Sequence, residues 1–372
     1  MKRNNKFFKF LRNAFLTLIH PIGFLLGISL LIATGAKYLT PAQADAIAVF
    51  GLFFPLLYSL SLLSLLVMTI LRSKFGYVLL VILLFATPTL TRYVSFNAKA
   101  KEKEIKLLSY NVHGFNGFDK TKNHPDIQNK IIEFIAPQHF DLVCLQEFRS
   151  WSGSIPNDVA FLAQNMGLKY TYFEGYWKRG GIQSDGFLIL SNFPFLNKGV
   201  ILSETRRNIG VYADILIATD VIVRVANIHL VSFSLVQGEI NLFSEGAMLE
   251  METIKLHGKN IFGKLRNSFK VRATEITDLK KFLSSDDIPM LICGDFNDTP
   301  ASYIFEQMNK MSYIDSHLSA GNGFGATYAG KIPWLRIDYI FHSDDIYPGK
   351  SKVYKIPYSD HFPVSLSFSV KP

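Results

Sequence analysis

The 372-residue chain is 49% hydrophobic and has a formal net charge of +9, but neither property is spread evenly along it. Residues 1–96 contain long uncharged runs, nine basic side chains and one acidic side chain, whereas the rest holds 30 basic and 29 acidic side chains. The positive charge therefore belongs to the apolar N-terminal part, which excludes a basic nucleic-acid-binding face as its explanation.

Three apolar stretches predict three transmembrane helices, at about 15–36, 46–71 and 75–92. A helix needs about 20 apolar residues to cross a bilayer, so the first two are long enough and the third is short. A cleaved signal peptide is the alternative for the first stretch, but its apolar run exceeds the roughly 7 to 15 residues of such a peptide. We predict a membrane anchor at 1–96, a linker at 97–103 and a soluble domain at 104–372.

Basic residues near the apolar stretches predict the orientation of this anchor. They cluster between Lys2 and Arg12 and recur at Arg72 and Lys74, between the second and third stretches. By the positive-inside rule both regions are cytoplasmic, although further lysines after the third stretch weigh against this. We expect an integral protein of a bacterial cytoplasmic membrane, with its soluble domain on the non-cytoplasmic side.

Short β-rich runs and a few amphipathic segments follow residue 104. The predicted strands are Ile105–Tyr110, Leu142–Gln146, Phe187–Leu190, Val211–Ile217, Val221–Leu230, Met290–Cys293, Ile337–Phe341 and Val364–Phe368. The predicted helices are Asp126–Ala136, Val159–Met166, Arg272–Leu283 and Ser302–Met308. Many strands with few helices indicate an α/β domain in which two sheets pack face to face under covering helices.

Polar residues occur in six motifs at or beside these apolar runs, several of them immediately after a run, where a sheet protein presents chemistry at its strand ends. Each signal alone is weak, because Asp-x-Asn turns, solvated glutamates and Asp-His pairs are common in loops. Their occurrence in one order along the chain carries the information. The residues are Asn111, Glu147, His229, Asp295 with Asn297, Asp338, and Asp360 with His361.

In this order the motifs resemble the endonuclease/exonuclease/phosphatase superfamily, which includes deoxyribonuclease I. The most specific pair is Gly294-Asp295-Phe296-Asn297 with Ser359-Asp360-His361 near the C-terminus. The resemblance covers nearly the whole soluble part and implies a membrane-anchored, bacterial-type member. It also implies the four-layer α/β/β/α sandwich of deoxyribonuclease I for residues 104–372.

The resemblance implies a catalytic role for each matching residue. Asp295 would be the general base that activates water, oriented by Asn297. His229 and His361 would donate to the phosphate oxygens, and Asp338 would orient His361. A carboxylate base and two imidazoles meet the chemical needs of phosphodiester hydrolysis.

The same resemblance implies a divalent cation, Mg²⁺ with Mn²⁺ as the alternative. Glu147 would be its principal ligand, with Asn111 and Asp360 close to the metal and its phosphate. Mg²⁺ binds through one or two carboxylates and keeps several waters, so such a sparse site is adequate. Some apurinic endonucleases carry an acid two residues after the first Asn, where this chain has His113. A single metal ion is therefore the preferred interpretation.

The sequence thus predicts a membrane-anchored enzyme that hydrolyses a phosphodiester, in the manner of a nuclease. The alternative within the fold is a phospholipid head-group phosphodiesterase or phosphatase. A non-catalytic, membrane-tethered binding module is the alternative from another class, but it would be expected to lack one of the catalytic residues. The partners implied are a phosphodiester, from nucleic acid or a phospholipid head group, and the lipid bilayer. No protein partner is indicated.

The segment Gly238–Lys270 is a long insertion between the run that ends at His229 and the next predicted helix. Its part from Asn260 onwards is basic and amphipathic, which is typical of a membrane-surface helix, a lid or a covering helix.

Overall fold

The computed structural model describes residues 2–97, 101–117, 126–179, 182–205, 207–233, 251–285, 288–330, 332 and 334–371. Its N-terminal part consists of helices. They are α1 (Lys2–Gly35), α2 (Pro41–Leu52), α3 (Phe54–Ile70) and α4 (Gly76–Leu90). Helices α1, α3 and α4 pack against one another, and α2 lies beside the domain that follows.

Among the described residues, one helix, Arg12–Tyr38, is long and apolar enough by length and composition to cross a membrane. The predicted second span is instead broken, because α2 and α3 are bent by 57°. Phe53 between them leaves helical geometry, and Pro55 has no backbone N–H to continue an incoming helix. The third predicted span is the 15-residue helix α4. The structure thus supports one such helix, or two if the bent pair counts as one, and not the three that the hydropathy pattern predicted.

The helices α1, α3 and α4 present large apolar side chains outward. Leu25, Leu63, Val81 and Phe85 are 63%, 57%, 64% and 62% exposed. An apolar surface of this extent marks contact with lipid or with another protein, because water penalises exposed hydrocarbon.

The rest of the described chain forms strands with a few helices between them. The strands are β1 (Val94–Phe96), β2 (Ile105–Asn111), β3 (Leu142–Arg149), β4 (Tyr170–Arg179), β5 (Ile182–Ser191), β6 (Phe195–Leu202), β7 (Asn208–Ala218), β8 (Val221–His229), β9 (Met290–Asp295), β10 (Ile314–Asp315), β11 (Asn322–Phe324), β12 (Asp338–His342), β13 (Ile346–Val353) and β14 (Val364–Val370). The helices are α5 (Ile127–Ile135), α6 (Ile155–Met166), α7 (Met251–Leu283), α8 (Tyr303–Lys310) and α9 (Ser316–Ala320).

Two six-stranded sheets form the centre of this domain. The first has the strand order β13-β14-β2-β3-β5-β4, and the second has the order β10-β12-β9-β8-β7-β6. An apolar cluster that includes Leu107, Ile189, Val225 and Leu291 fills the space between the sheets. Helices α5 and α6 cover the outer face of the first sheet, and α7 and α8 cover that of the second. The predicted α/β architecture of two packed sheets is confirmed.

The predicted strands and helices are all present, with some differences in extent. Strands β1, β4, β6, β10, β11 and β13 and the short helix α9 were not predicted. Helix α7 begins at Met251, well before the predicted start at Arg272. Its segment Asn260–Lys270 is a covering helix, because Ile261 and Leu265 pack under α2. The earlier part of the insertion, up to residue 250, lies outside the described residues.

Helix α2 and its neighbouring turns contact the two-sheet domain directly. Asp45 of α2 accepts from Arg266 at 2.8 Å and pairs with Lys270 at 2.6 Å, both on α7. Thr299 donates through Oγ1 to the Gly51 carbonyl at 3.4 Å. These contacts dock the helical part against the loop that follows β9.

A second set of contacts follows α4. Arg336 donates to the Arg92 carbonyl at 3.1 Å, and Arg92 pairs with Glu306 of α8 at 2.8 Å. Strand β1 then pairs with β11 in a small two-stranded sheet. The boundaries predicted for the anchor, the linker and the soluble domain stay predictions.

Candidate active site

Strand register places three of the predicted residues side by side on the second sheet. The parallel pairing of β8 with β9 sets His229 opposite Asp295, and the antiparallel pairing of β9 with β12 sets Asp338 opposite Asp295. Directly opposed residues on neighbouring strands lie about 5 Å apart, so the three side chains form one row. This row, His229-Asp295-Asp338, forms one side of the candidate site.

The first sheet contributes Asn111 and Glu147. Asn111 ends β2 opposite Gln146 of β3, and Glu147 is the next residue. The pairing of β3 with β5 shifts register between Leu145 and Phe148, and Glu147 has a φ of 51°. A bulge of this kind re-aims a side chain. Asn111 Nδ2 donates to Glu147 Oε1 at 3.2 Å and to Asp295 Oδ2 at 3.1 Å, which joins the two sheets.

Unusual backbone conformations coincide with these positions. Asn297 has a φ of 52°, and Gly294 has a φ of 137°. A Cβ on Gly294 would lie 1.9 Å from the Ile228 carbonyl oxygen, so no other residue fits there without displacing the backbone. Residues held in sparsely populated backbone regions cluster at functional sites, where the surrounding fold maintains them.

His361 bridges two carboxylates of the row. Its Nδ1 lies 3.0 Å from Asp338 Oδ2, and its Nε2 lies 3.6 Å from Asp295 Oδ2. Burial would lower the pKa of His361, but the negative charges of Asp338 and Asp295 outweigh it and raise that pKa well above its ordinary value. The imidazole is therefore held in place and kept protonated, as a donor should be.

Asp295 is almost completely buried, with 1% of its surface exposed. Burial, with a smaller contribution from the charge of Asp338, raises its pKa to about 6 against the opposing effects of His361 and His229. Its Oδ1 accepts from the backbone N–H of Asn297 at 2.8 Å. The side-chain amide of Asn297 donates instead to the Leu230 carbonyl at 3.0 Å, so Asn297 orients Asp295 through its backbone.

His229 leaves a donor position open inside the site. Its Nε2 is buried and has no hydrogen-bond partner among the described residues. The atom lies 3.6 Å from Glu147 Oε1 and 3.7 Å from Asp295 Oδ2. A buried polar atom without a protein partner is satisfied by a water, an ion or a substrate atom. An anionic oxygen of a substrate would satisfy it.

Glu147 and Asp360 are the carboxylates that reach solvent. The Glu147 side chain is 31% exposed, and the Asp360 side chain is 26% exposed. Burial tends to raise the pKa of Glu147, but His229 and His113 outweigh it and lower that pKa. Carboxylates at a solvent-open edge fit a hard divalent cation. Asn111 binds the backbone N–H of His113 through its Oδ1, so its predicted role as a metal ligand stays a prediction.

A second group of side chains could also hold a metal ion. Asp295, Asp338 and His361 offer ligand atoms that lie within 4.8 Å of one another. Their contacts with one another already engage these atoms, and a cation there would displace the His361 imidazole from Asp338. We therefore favour Glu147, whose carboxylate is open to solvent, over this group.

His113 occupies the position where some apurinic endonucleases carry an acid. It is buried, and its Nδ1 lies 3.3 Å from Asp360 Oδ1 and 3.2 Å from the Gly117 carbonyl oxygen. Because His113 is an imidazole, this position offers no carboxylate ligand to a second cation.

Several contacts were not predicted from the sequence. The Tyr176 ring lies 6.3 Å from the His229 ring, and the Tyr328 ring lies 5.9 Å from the His361 ring. Below the site, Gln146 Nε2 donates to Asn227 Oδ1 at 2.6 Å between the two sheets. Tyr176 lies on β4, a strand that was not predicted, whereas Asn227 stands two residues before His229 and could have been singled out as a buried amide in an apolar run.

Comparison with known proteins agrees with this geometry. Residues 108–361 match the model of the Endonuclease/Exonuclease/phosphatase family. This match covers more than half of the chain and contains every residue of the site described above. No match was found among curated proteins.

Solved structures share the fold. A functionally unknown conserved protein from Enterococcus faecalis is 17% identical, with a TM-score of 0.51, over 72% of this chain and 100% of that one. An endonuclease/exonuclease/phosphatase from Beutenbergia cavernae is 17% identical, with a TM-score of 0.50, over 72% of each chain. A 3′ phosphatase from Neisseria, bound to a product DNA hairpin, is 16% identical, with a TM-score of 0.50, over 72% and 100%. At these identities the likeness concerns the fold alone.

Proposed function

This chain belongs to the endonuclease/exonuclease/phosphatase family, and we propose that it hydrolyses a phosphodiester with a divalent cation and a water activated by Asp295. One observation carries the proposal. A buried carboxylate with its pKa raised to about 6 lies within 3.7 Å of two imidazole nitrogens, and Asn111 bonds it to the sheet that carries Glu147. A base with a pKa near neutrality is suited to accept a proton from water.

In this proposal each side chain has a distinct task. Asp295 Oδ2 accepts a proton from water as the water oxygen forms its bond to phosphorus. The ester bond to the leaving oxygen breaks, and that oxygen takes a proton from solvent to leave as an alcohol. His361, kept protonated by Asp338, donates to a non-bridging oxygen. His229 Nε2 donates to a second one at the open position. Donors placed where charge develops are worth about 3 kcal/mol each in an excluded-water site.

A divalent cation fits the oxygen donors Glu147 and Asp360. When bound, it neutralises phosphate charge and polarises the phosphorus–oxygen bonds. Mg²⁺ is our first choice and Mn²⁺ the alternative, because both prefer carboxylate and water ligands.

We also propose that the N-terminal helices anchor the enzyme in a bacterial cytoplasmic membrane. The length of the helix Arg12–Tyr38 and the outward apolar surface of α1, α3 and α4 support anchoring. The basic residues between Lys2 and Arg12 favour a cytoplasmic N-terminus. The two-sheet domain docks on the opposite end of the helical part, where residues 35–54 lie, and would then face the non-cytoplasmic side.

A non-catalytic binding module is the rival from another class. It is disfavoured because Glu147, Asp295, Asn297 and His361 are all present and Asp295 and His361 are in contact. Nuclease and lipid phosphodiesterase activities both remain within the proposed chemistry.

The test is an assay of the full chain in detergent on bis(p-nitrophenyl) phosphate, a soluble chromogenic phosphodiester. We expect turnover with Mg²⁺ or Mn²⁺, none with EDTA, and a loss of about 10²-fold or more in Asp295→Asn with the fold retained. Asp344→Asn makes the same chemical change at a remote, exposed site and serves as the control. Equal turnover by wild type and Asp295→Asn would overturn the mechanism.

A further inference from the structure

We infer that the substrate is the phosphodiester of a membrane lipid, which reaches the site along an apolar wall between the helical part and His361. This inference rests on the proposed function and names the substrate class of the same site. Three observations carry it: the end of the domain at which the helices dock, the residues between them and the site, and the pairing of nearby charges.

The helical part docks at the end of the sheets that carries the site. Thr299, which donates to the Gly51 carbonyl, lies two residues after Asn297. Ile337, which belongs to the same apolar cluster as Val49 and Leu52, directly precedes Asp338. If the apolar helices lie in a bilayer, this end of the domain is held at the bilayer surface. A substrate embedded in that surface needs little movement to reach Asp295.

A set of half-buried apolar side chains, here called the apolar wall, packs on the cluster that the two parts share. It consists of Phe53, Phe233, Tyr328, Ile332 and Trp334, all packed on the cluster that contains Val49 and Leu52. The wall ends at the site, because the Tyr328 ring lies 5.9 Å from the His361 ring.

Backbone hydrogen bonds fix this end of the wall to the site. Ala329 donates to the Asp360 carbonyl at 2.8 Å, and Phe362 donates to the Thr327 carbonyl at 2.6 Å. The segment that carries Tyr328 is thereby tied to the loop of Asp360 and His361. A phosphate bound at His361 would lie next to the apolar wall at Tyr328. The phosphate of a membrane lipid likewise lies next to hydrocarbon.

The charges near the site argue against a polyanionic strand. Arg149 is held by Asp185 in two hydrogen bonds of 2.6 and 2.9 Å, and Arg207 pairs with Glu275 at 3.1 Å. Nucleic-acid binding draws most of its affinity from basic side chains available to several phosphates. Because Arg149 and Arg207, the arginines described on this side of the site, are paired with carboxylates, the described part of the site is better suited to a single phosphodiester next to an apolar body.

The test compares substrates with the full chain reconstituted in vesicles of phosphatidylcholine, phosphatidylethanolamine and sphingomyelin. Release of water-soluble head group is measured by ³¹P NMR, with single-stranded DNA, plasmid DNA and bis(p-nitrophenyl) phosphate offered in parallel. We expect the soluble ester and at least one vesicle lipid to be cleaved, and the lipid about tenfold or more faster than either nucleic acid.

A variant of the wall links the outcome to the structure. Ile332→Asn should reduce lipid turnover about tenfold or more relative to turnover of the soluble ester, because hydrocarbon contact is lost. Leu196→Asn, at a remote position on β6 that is 55% exposed, is the matched control and should leave the ratio unchanged.

The outcomes separate this inference from the proposed function. Cleavage of the soluble ester without any vesicle lipid, or faster cleavage of nucleic acid than of lipid, overturns the lipid assignment and leaves the hydrolytic mechanism standing. An unchanged ratio in Ile332→Asn overturns the role of the wall. Absence of turnover on every substrate refutes the proposed function itself.

Discussion

His361 Nδ1 lies 3.0 Å from Asp338 Oδ2, and this contact connects the strand β12 to the loop that precedes β14. Asp338 also faces Asp295 across the β9–β12 pair. One carboxylate therefore controls two ionisations, because its charge raises the pKa of both His361 and Asp295.

Replacement of Asp338 by Asn should shift the whole pH–rate profile toward acid. Asp295 acts ionised, so activity falls as pH drops through its pKa, and removal of the Asp338 charge lowers that pKa. His361 acts protonated, so activity falls as pH rises through its pKa, which is lowered as well. The apparent values belong to the coupled pair. Profiles of kcat/KM on a soluble phosphodiester measure both limbs, with Asp344→Asn as the control. A shift of only the acid or only the alkaline limb of the profile would contradict the conclusion that Asp338 raises the pKa of both Asp295 and His361.

Replacement of Glu147 by Gln should weaken divalent-cation binding about 10- to 100-fold, because the open carboxylate is lost while the side-chain volume is kept. Calorimetric titration of the full chain with Mn²⁺ measures this without any substrate. Glu204→Gln makes the same change at a surface position whose side chain is 72% exposed, and should bind as wild type does. Unchanged affinity in Glu147→Gln, with a loss in Asp338→Asn, would instead assign the cation to the group of Asp295, Asp338 and His361.

Gly294→Ala should destabilise the two-sheet domain by about 3 kcal/mol or more, because its new methyl group would overlap the Ile228 carbonyl oxygen. Gly167→Ala is the matched comparison, since Gly167 has a φ of 72° but nothing within 4 Å of the added Cβ. That variant carries only the backbone penalty, about 1 kcal/mol. Denaturant unfolding of both variants in detergent measures the difference, and equal costs would show that the backbone relaxes around Gly294.

A fragment of residues 97–372 should be less stable than the full chain and should aggregate. The helical part buries Ile261, Leu265 and Leu335 against Val49 and Leu52, and the fragment would expose the first three to water. Thermal unfolding and size-exclusion chromatography compare the two proteins. A chain shortened only to residues 12–372 keeps these contacts and should behave as the full chain does. A monomeric fragment of unchanged melting temperature would contradict this role of the helices.

The sequence predicted the sheet strands near the site better than the helical part, for identifiable physical reasons. Alternating or continuous apolar runs that end in polar residues, such as the run before Asp295, report directly on a buried strand. Hydropathy cannot show where an apolar helix breaks, and the break at Phe53 depends on Pro55 and on packing against α7. The resemblance of the motifs to the family implied that Asp338 orients His361, whereas the contact of Tyr328 with His361 arises from long-range packing that no local pattern reports.

The positions of the site residues could also be predicted from the sequence to different degrees. The register of β8, β9 and β12 follows from their apolar patterns, so the row of His229, Asp295 and Asp338 could be anticipated once the order of the strands was known. The orientation of Glu147 could not be anticipated, because a bulge at that position produces no periodic pattern in the sequence.

The row also has a consequence for the order of folding. His229 and Asp295 meet through the parallel pair of β8 and β9, whose crossover connection, residues 230–289, includes α7. Pairing of segments so far apart in sequence is slow, since loop-closure entropy is lost before the contacts compensate for it. The N-terminal helices, which we propose to anchor the enzyme, are synthesised first, but their docking residues Val49 and Leu52 contact α7, which lies within this crossover. Docking of the helical part and pairing of His229 with Asp295 therefore both wait for the same segment of the chain.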